Sequence, residues 1–437
     1  MKFEQLRGEA IAAPVLGILA LAFVAGPAAG AGFSIFEQGS KAMGTGGAFT
    51  ALADDGSAMF HNAAGLAFQE NSLAAGATFI TFGQAEFQGS APFPGTGSTG
   101  EQKSALETPP HAYWVHRLGD RGVFGLGVMS PFGLTTQWDK PETFSGRYLS
   151  TKAALRVVDL NPTYAFRITD TMSVGVGAIV RYSDVELERF VGQFNPFTLR
   201  VADVGQVAIG SDFSAGYGLN VGFLHRWNNS FSWGFSYRSK IKVDYEGDAR
   251  FTQILTGNAQ FDAIIRSRIP FGTALPVETA IDFPDEASLG LAFMLTPRLQ
   301  LLTDFNWTGW SSFDEVVLDF TDSNASAFDS TIPEAWDDVT NYRIGFRWIL
   351  SPVNEWRFGY VIDNTPQPDD KVSPLLPDAN RTGLTLGWGH KGRLNTDLAL
   401  MFLPFDERQR SATADGEDIF HGTYKTTAWL LGATISF

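Results

Sequence analysis

The last fifteen residues, 423–437, restrict this chain more than any other stretch. Trp429, Leu431, Ala433, Ile435 and Phe437 share one parity; Tyr424, Thr426, Ala428, Gly432, Thr434 and Ser436 share the other. Successive side chains of a strand point to opposite faces, so this segment has one greasy face and one small or polar face. It finishes on an aromatic residue at the C-terminus. The closing strand of an outer-membrane barrel has this form, which puts the protein in a membrane that hydropathy alone would miss.

A helical membrane protein needs runs of about 20 apolar residues. The one continuous apolar run among the 437 residues is 11–25; it follows Lys2 and Arg7 and precedes the small residues of 26–31. That order reads as a secretory signal peptide over 1–30, cut near Gly30 or Ala31. The alternative, a transmembrane anchor, asks for a longer run. With no cysteine, an exported chain must find its stability elsewhere than in disulfides. A closed sheet supplies it by pairing every backbone group within the barrel. The formal charge of −15 argues against nucleic acid as a partner. Much of the acid falls in expected outer loops, where divalent cations and lipopolysaccharide would screen it.

Period-2 alternation recurs along the chain. Phe231, Trp233, Phe235 and Tyr237 oppose Ser232, Gly234, Ser236 and Arg238; Tyr342, Ile344, Phe346 and Trp348 oppose Asn341, Arg343, Gly345 and Arg347. The same holds over 172–182, 355–363 and 381–390. Charge on one face only fits a lipid-facing wall around a polar lumen. A soluble sandwich or propeller would instead turn polar residues outward. The pattern predicts fourteen strands, near 73–88, 109–118, 122–131, 148–168, 171–190, 206–227, 230–246, 277–295, 298–319, 338–350, 354–364, 380–391, 394–404 and 423–437. Tight turn sequences such as Thr169-Asp170-Thr171 and Asn228-Asn229 alternate with long stretches at 89–108, 132–147, 191–205, 247–276, 320–337, 365–379 and 405–422. Short turns on the periplasmic side and long loops outside are the habit of such barrels, and an even strand count puts both termini in the periplasm. The fold class expected is therefore an all-β membrane protein, a 14-stranded antiparallel outer-membrane barrel over 71–437.

Residues 31–70 do not alternate and are rich in Gly and Ala. They read as short helical turns, small enough to fill the inside of a barrel as a plug; the other reading is a loose periplasmic tail. Gly44, Gly46 and Gly47 do not make a phosphate loop, because no Lys-Ser/Thr follows.

Several segments, in order, resemble the FadL-like long-chain fatty-acid and hydrocarbon transporters. They include Ala31-Gly32-Phe33, Ala53-Asp54-Asp55, Asn62-Ala63-Ala64-Gly65-Leu66, Ser130-Pro131-Phe132-Gly133, Gly146-Arg147-Tyr148, Leu160-Asn161-Pro162, Trp307-Thr308-Gly309-Trp310 and Arg357-Phe358-Gly359-Tyr360. The likeness spans essentially the whole exported chain. It implies an N-terminal hatch in the lumen and passive passage of hydrophobic molecules. It also implies a kinked third strand that opens the wall sideways, and a monomer. Gly125, Gly127 and Pro131 of the third strand are the residues expected at that opening, since Gly and Pro weaken strand pairing. Asp54, Asp55, Asn62, Ala63 and Ala64 are the expected plug and gate residues; where the family has Asn-Pro-Ala, this chain has Ala63 in place of the proline.

A hydrophobic passenger needs greasy sites in series, because each methylene exposed to water costs about 0.8 kcal/mol. Phe194 and Phe197 in one loop, and Phe251, Leu255, Phe261 and Ile265 in another, are candidates for the outer site. The second loop has the spacing of a short amphipathic helix, and the loops would equally serve as a lid packed on itself. By the resemblance, Phe33, with Phe36 close behind, would reach into an inner site. A ligand carboxylate would want a cation. Arg181, Arg343, Arg347, Arg357 and Arg381 have lumen parity, with Arg181 and Arg189 favoured as nearest the outer mouth, yet Asp304, Asp363 and Asp397 share that parity and would pair with them. The six histidines show no metal-ligand spacing and no G-x-S-x-G occurs, so neither an enzyme nor a cofactor or metal site is expected. The reading is passive transport of long-chain fatty acids or related hydrocarbons; the alternative is a general diffusion porin for small polar solutes.

Overall fold

The computed structural model describes residues 32–323, 325–410 and 420–437. The expected signal segment 1–30 and much of the 405–422 loop lie outside the described residues. Fourteen antiparallel strands follow one another in chain order. They are β1 Ser72–Gly89, β2 Pro110–Leu118, β3 Gly122–Met129 with its continuation Gly133–Gln137, β4 Lys152–Arg167 and β5 Met172–Asn195. Next come β6 Arg200–Ser211 and Ser214–Asn228, β7 Phe231–Arg238 and Ile241–Gln253, β8 Ala274–Phe283 and Glu286–Thr296, and β9 Leu299–Thr308 and Glu315–Phe320. β10 is Ser330–Pro333 and Val339–Ser351, β11 Asn354–Asp363, β12 Arg381–His390, β13 Asn395–Pro404 and β14 Gly422–Ser436. Each strand pairs with its predecessor, and β14 returns to β1 from Ala74↔Ser436 to Gly89↔Gly422. Closure leaves no edge for lipid to meet, which is the condition for a sheet to span a bilayer.

Parity behaves as the alternation requires. Trp429, Leu431, Ile435 and Phe437 are exposed on the outer face, with Phe235, Phe305, Phe358, Leu384 and Leu386, while Asn341, Arg343 and Arg357 are buried inside. Two expected loops turn out differently. β5 and β6 extend through most of 191–205 as a hairpin whose turn is 196–199, with Leu199 at φ 54°. Its inward residues Val204, Val207 and Ile209 are buried, which holds the hairpin upright. Phe251 likewise belongs to β7, not to a loop. Nor is the lumen polar throughout. At the level of these strand extensions it is filled by an apolar cluster that includes Tyr245, Phe251, Phe261, Ile265, Phe283, Trp310 and Trp336.

The segment 33–67 is almost wholly buried inside the barrel. It contains α1 Ser40–Gly44, α2 Ala58–His61 and a 3-10 turn over Ala63–Phe68. Room for it comes from glycines on the inward faces of the strands. A Cβ at Gly175 would lie 2.4 Å from the Ala63 carbonyl carbon, at Gly234 2.5 Å from the Thr50 oxygen, at Gly359 2.2 Å from the Gly46 nitrogen, and at Gly432 2.8 Å from Met43 Sδ. Barrel side chains answer the plug's own backbone. Asp304 accepts from the amides of Phe49 and Thr50 at 3.0 and 2.8 Å, and Ser173 and Arg343 donate to the carbonyls of Ala64 and Gly46. This satisfies buried backbone groups that short, irregular helices cannot satisfy themselves.

Gly175→Val should still give an inserted barrel but displace the 62–64 turn. Planar-bilayer conductance is expected to rise over wild type; an unchanged conductance would show that the glycine is not needed to seat the plug.

Candidate binding cavity and plug

The wall is incomplete at β3. Its ladder with β2 is regular as far as Ala112↔Val128, and that with β4 as far as Met129↔Asp159. The chain then steps through Ser130, Pro131 and Phe132 and resumes pairing with β4 from Gly133↔Arg156 to Gln137↔Lys152. On the opposite edge, no strand residue among those described meets β3 until Lys103 donates to the Gln137 carbonyl at 2.7 Å. Pro109 and Pro110 stand on one side of this gap and Pro131 on the other. None has an amide proton, so a ladder cannot be closed across them. The chain ahead of β2 turns to β1 instead, pairing Glu107 with Ile80.

The plug takes the place of the missing strand. Ile35 donates to the Pro131 carbonyl at 2.7 Å, and Gly133 donates to the Phe33 carbonyl at 3.0 Å. Gln38, which is buried, donates through Nε2 to the Ser130 carbonyl at 2.7 Å and accepts from the Ser130 amide at 3.0 Å. Nothing in the sequence marks Gln38 as a site residue, because its burial and its bonds to Ser130 exist only in the folded chain.

Behind the gap lies a cavity of about 380 Å³. Its walls are mostly apolar: Phe33, Ile35 and Phe36 of the plug, Phe132 in the break of β3 and Leu134 after it, Leu155 and Val157 of β4, and Ile80, Phe82, Leu403 and Leu430 from β1, β13 and β14, with Phe405 just after β13. Phe33 is held by ring contacts with Trp310 at 4.7 Å, Phe313 at 5.4 Å and Trp336 at 5.6 Å. Burying such a ring contributes roughly 1.5–3 kcal/mol, and each edge contact about 0.5–1.5 kcal/mol more. Phe36 packs on Phe60 and lies under the Arg343 guanidinium, 4.2 Å from ring centre to cation.

Of the residues expected at the opening, Pro131 lies in it. Gly125 and Gly127 do not: they sit in the regularly paired part of β3, and a Cβ at Gly125 would come 2.4 Å from Met59 of the plug. Their lack of a side chain makes space for Met59 rather than an exit. Arg181 is buried and held by Asp159 through two bonds of 2.8 Å, so it has no free face for a ligand carboxylate; Arg189 is exposed. The expected outer residues divide. Phe261 and Ile265, on α3 Ala259–Arg266, are buried with Phe251, whereas Phe194, Phe197 and Leu255 are exposed. Asn258 caps α3 by accepting from the amides of Gln260 and Phe261. One apolar cluster joins Phe251 and Phe261 to Phe33 and Phe132 at the cavity.

Elsewhere the plug is latched by charge. Asp54 meets Lys41 at 2.8 Å and Arg347 at 3.3 Å; Arg347 and Arg357 share Glu355; Arg357 also reaches Asp397 at 2.6 Å. Burial alone would raise the Asp54 pKa, but Lys41 and Arg347 outweigh it and hold the carboxyl well below the usual carboxylate range. Asp55, which has no such pair among the described residues, accepts from Ser57 and is pushed up by burial. Asn62 caps the 3-10 turn by accepting from Ala64 and donates to the carbonyls of Thr50 and Phe223. With these bonds fixing Asn62 in an extended conformation, Ala63 starts the turn without a proline. His61 lies between the rings of Phe49 and Phe60, its Nε2 buried without a partner among the described residues; burial, then Arg343 and Arg238, lower its pKa to about 3.

Fold and site together define an outer-membrane barrel whose bore is stopped by its own N-terminal segment and whose greasy cavity abuts a break in the wall. A general porin would keep that cross-section open. Residues 21–437 match the family model for outer membrane protein transport protein (OMPP1/FadL/TodX). A long-chain fatty acid transport protein of Escherichia coli O6:H1 is 23% identical, covering 96% of this chain and 97% of its own. The crystal structure of a Pseudomonas aeruginosa FadL homologue superposes with a TM-score of 0.76 at 19% identity, over 93% of this chain and 99% of that one. The Ralstonia pickettii toluene transporter TbuX does so with a TM-score of 0.66 at 17% identity, over 92% and 99%. The chain belongs to the OMPP1/FadL/TodX family of outer-membrane transport proteins.

Gln38→Ala would leave the Ser130 amide and carbonyl unmet, at about 1–3 kcal/mol. A lower temperature for loss of the folded gel band, with increased bilayer conductance, is expected; no change in either would remove Gln38 from the seal. Asp54→Asn should also raise conductance at neutral pH by stranding Lys41. Because the Asp54 pKa is depressed, its contribution is present above the unfolded value of about 3.9 and lost only as pH falls through the lower folded value. Wild-type conductance should therefore hold at pH 4 and rise under stronger acid; a rise already complete between pH 6 and 5 would contradict this.

Proposed function

We propose that the protein passes long-chain fatty acids or related hydrocarbons across the outer membrane without energy input, as a monomer, and releases them sideways. The passenger first meets the exposed Phe194, Phe197 and Leu255 on the outer hairpin and loop. Apolar exposure of this kind on a polar outer surface suits a first contact. It then follows the cluster from Phe261 and Phe251 to Phe33 and occupies the cavity beside β3. Each step trades one apolar surface for another, so no methylene has to enter water at about 0.8 kcal/mol apiece. The gap at residues 130–136, backed by the cavity, carries this reading, because a break in the strand pairing beside a greasy cavity would give a passenger a way through the wall while the plug stops the bore. Acidic outer loops would hold neighbouring lipopolysaccharide through divalent cations.

Replacing Pro109, Pro110 and Pro131 together with Val restores three amide donors and lets β2 and β3 zip. Uptake of labelled oleate and toluene by cells without another such transporter should fall several-fold, while the folded gel band persists. Uptake equal to wild type would sink the side exit.

A further inference from the structure

The polar end of the cavity holds more acid than base. Glu37, Asp363 and Asp378 line it with Arg381, and Glu107 also belongs to the lining. Arg156, the other cation of the lining, is turned to Asp184, with its Nε 3.0 Å from that carboxylate and its side chain largely in solvent. Arg381 lies 3.5 Å from Asp363, an ion pair without a hydrogen bond from its buried Nε, and Arg343, reaching in from β10, donates to the same carboxylate at 2.9 Å. Two guanidiniums thus converge on one acid. Asp378 accepts from the Gly32 amide and the Thr365 hydroxyl, and enters no ion pair among the described residues. Glu37 likewise enters no ion pair within 4 Å there, although Arg343 and Arg381 are near enough to be felt. Three carboxyls therefore share two cations before any ligand arrives. A fatty-acid headgroup would make four.

We propose that this cavity selects uncharged hydrophobic molecules, such as hydrocarbons, esters and long-chain alcohols, over ionised carboxylates, with Glu37 and Asp378 as the residues that set the preference. The inference rests on the reading of the cavity as part of the transport route. Desolvation acts on any carboxylate placed here, and charge repulsion adds to it to the extent that Glu37 and Asp378 are ionised. Burial, the main cause, already pushes the Glu37 and Asp378 carboxyls above their usual range. The same environment would act on a ligand carboxylate lodged beside them. An alcohol or ester adds no charge and can still hydrogen-bond with these groups, while its tail packs on Phe33, Ile35, Leu134 and Leu430.

The test uses the full exported chain in lipid nanodiscs at pH 8, with radiolabelled oleate and oleyl alcohol of equal tail, each corrected for binding to protein-free discs. Oleyl alcohol is expected to bind on the order of tenfold or more tightly than oleate. In Glu37→Gln/Asp378→Asn, oleate binding should tighten until the difference disappears. The single Glu37→Gln serves if the double variant does not assemble, with a partial gain expected. Oleate equal to or tighter than the alcohol in wild type would overturn the selectivity and leave the transport reading standing. Unchanged oleate affinity in the variants would remove Glu37 and Asp378 from the selection. Neither ligand binding above the empty discs would bring down the transport reading as well.

Discussion

Backbone hydrogen bonding in a medium without water governs this structure. A spanning sheet must pair every amide and carbonyl or expose it to lipid at a cost of several kcal/mol. Fourteen strands meet the demand by closing β14 onto β1. Among the described residues, strand neighbours fail at the gap beside residues 130–136, bounded by three prolines. There the debt is met from inside, by the Phe33 carbonyl, the Ile35 amide and the Gln38 side chain. The segment that stops the bore is thus also the segment that finishes the wall.

That double role explains how the plug is built. It must be small, because the bore is narrow, and it must be fixed, because the gap relies on it. Small residues in the plug face glycines on the strands, so backbone lies nearly on backbone. Fixing comes from buried polar contacts: Asp304 on the Phe49–Thr50 amides, Asn62 on Phe223, and the chain of charges from Lys41 to Asp397. In the outer half the same barrel changes character. Apolar side chains of the strand extensions and α3 fill it down to Phe33, giving a greasy passage above a polar, well-anchored stopper.

How much of this could be read beforehand depended on whether the signal was local. Alternation at Trp429-Leu431-Ile435 or Tyr342-Ile344-Phe346 reports which face meets lipid, because a strand's geometry is set within a few residues. Pro131 marked a weakness in β3 for the same reason. Gly125 and Gly127 misled: a glycine on a strand can mean a weak ladder or a close neighbour, and only the position of Met59 separates the two. The hairpin over 191–205 is hidden because its inward residues Val204, Val207 and Ile209 are buried against other elements and its ladder shifts register at Val191/Gly192, so simple alternation breaks there. Arg181 has lumen parity, yet its partner Asp159 lies on the preceding strand, at a register that no single stretch reveals.

The sequence by itself determined the class of molecule: an exported, cysteine-free chain of alternating strands that must close on itself, with a small, non-alternating leading segment left over. Only the tertiary structure decided what that segment does, which arginines are spoken for, and where the cavity lies. Faces and turns follow from neighbours along the chain. A gap in a wall, and the charge balance behind it, exist only when residues as far apart as Glu37, Pro109, Pro131, Asp363 and Arg381 are brought to one place.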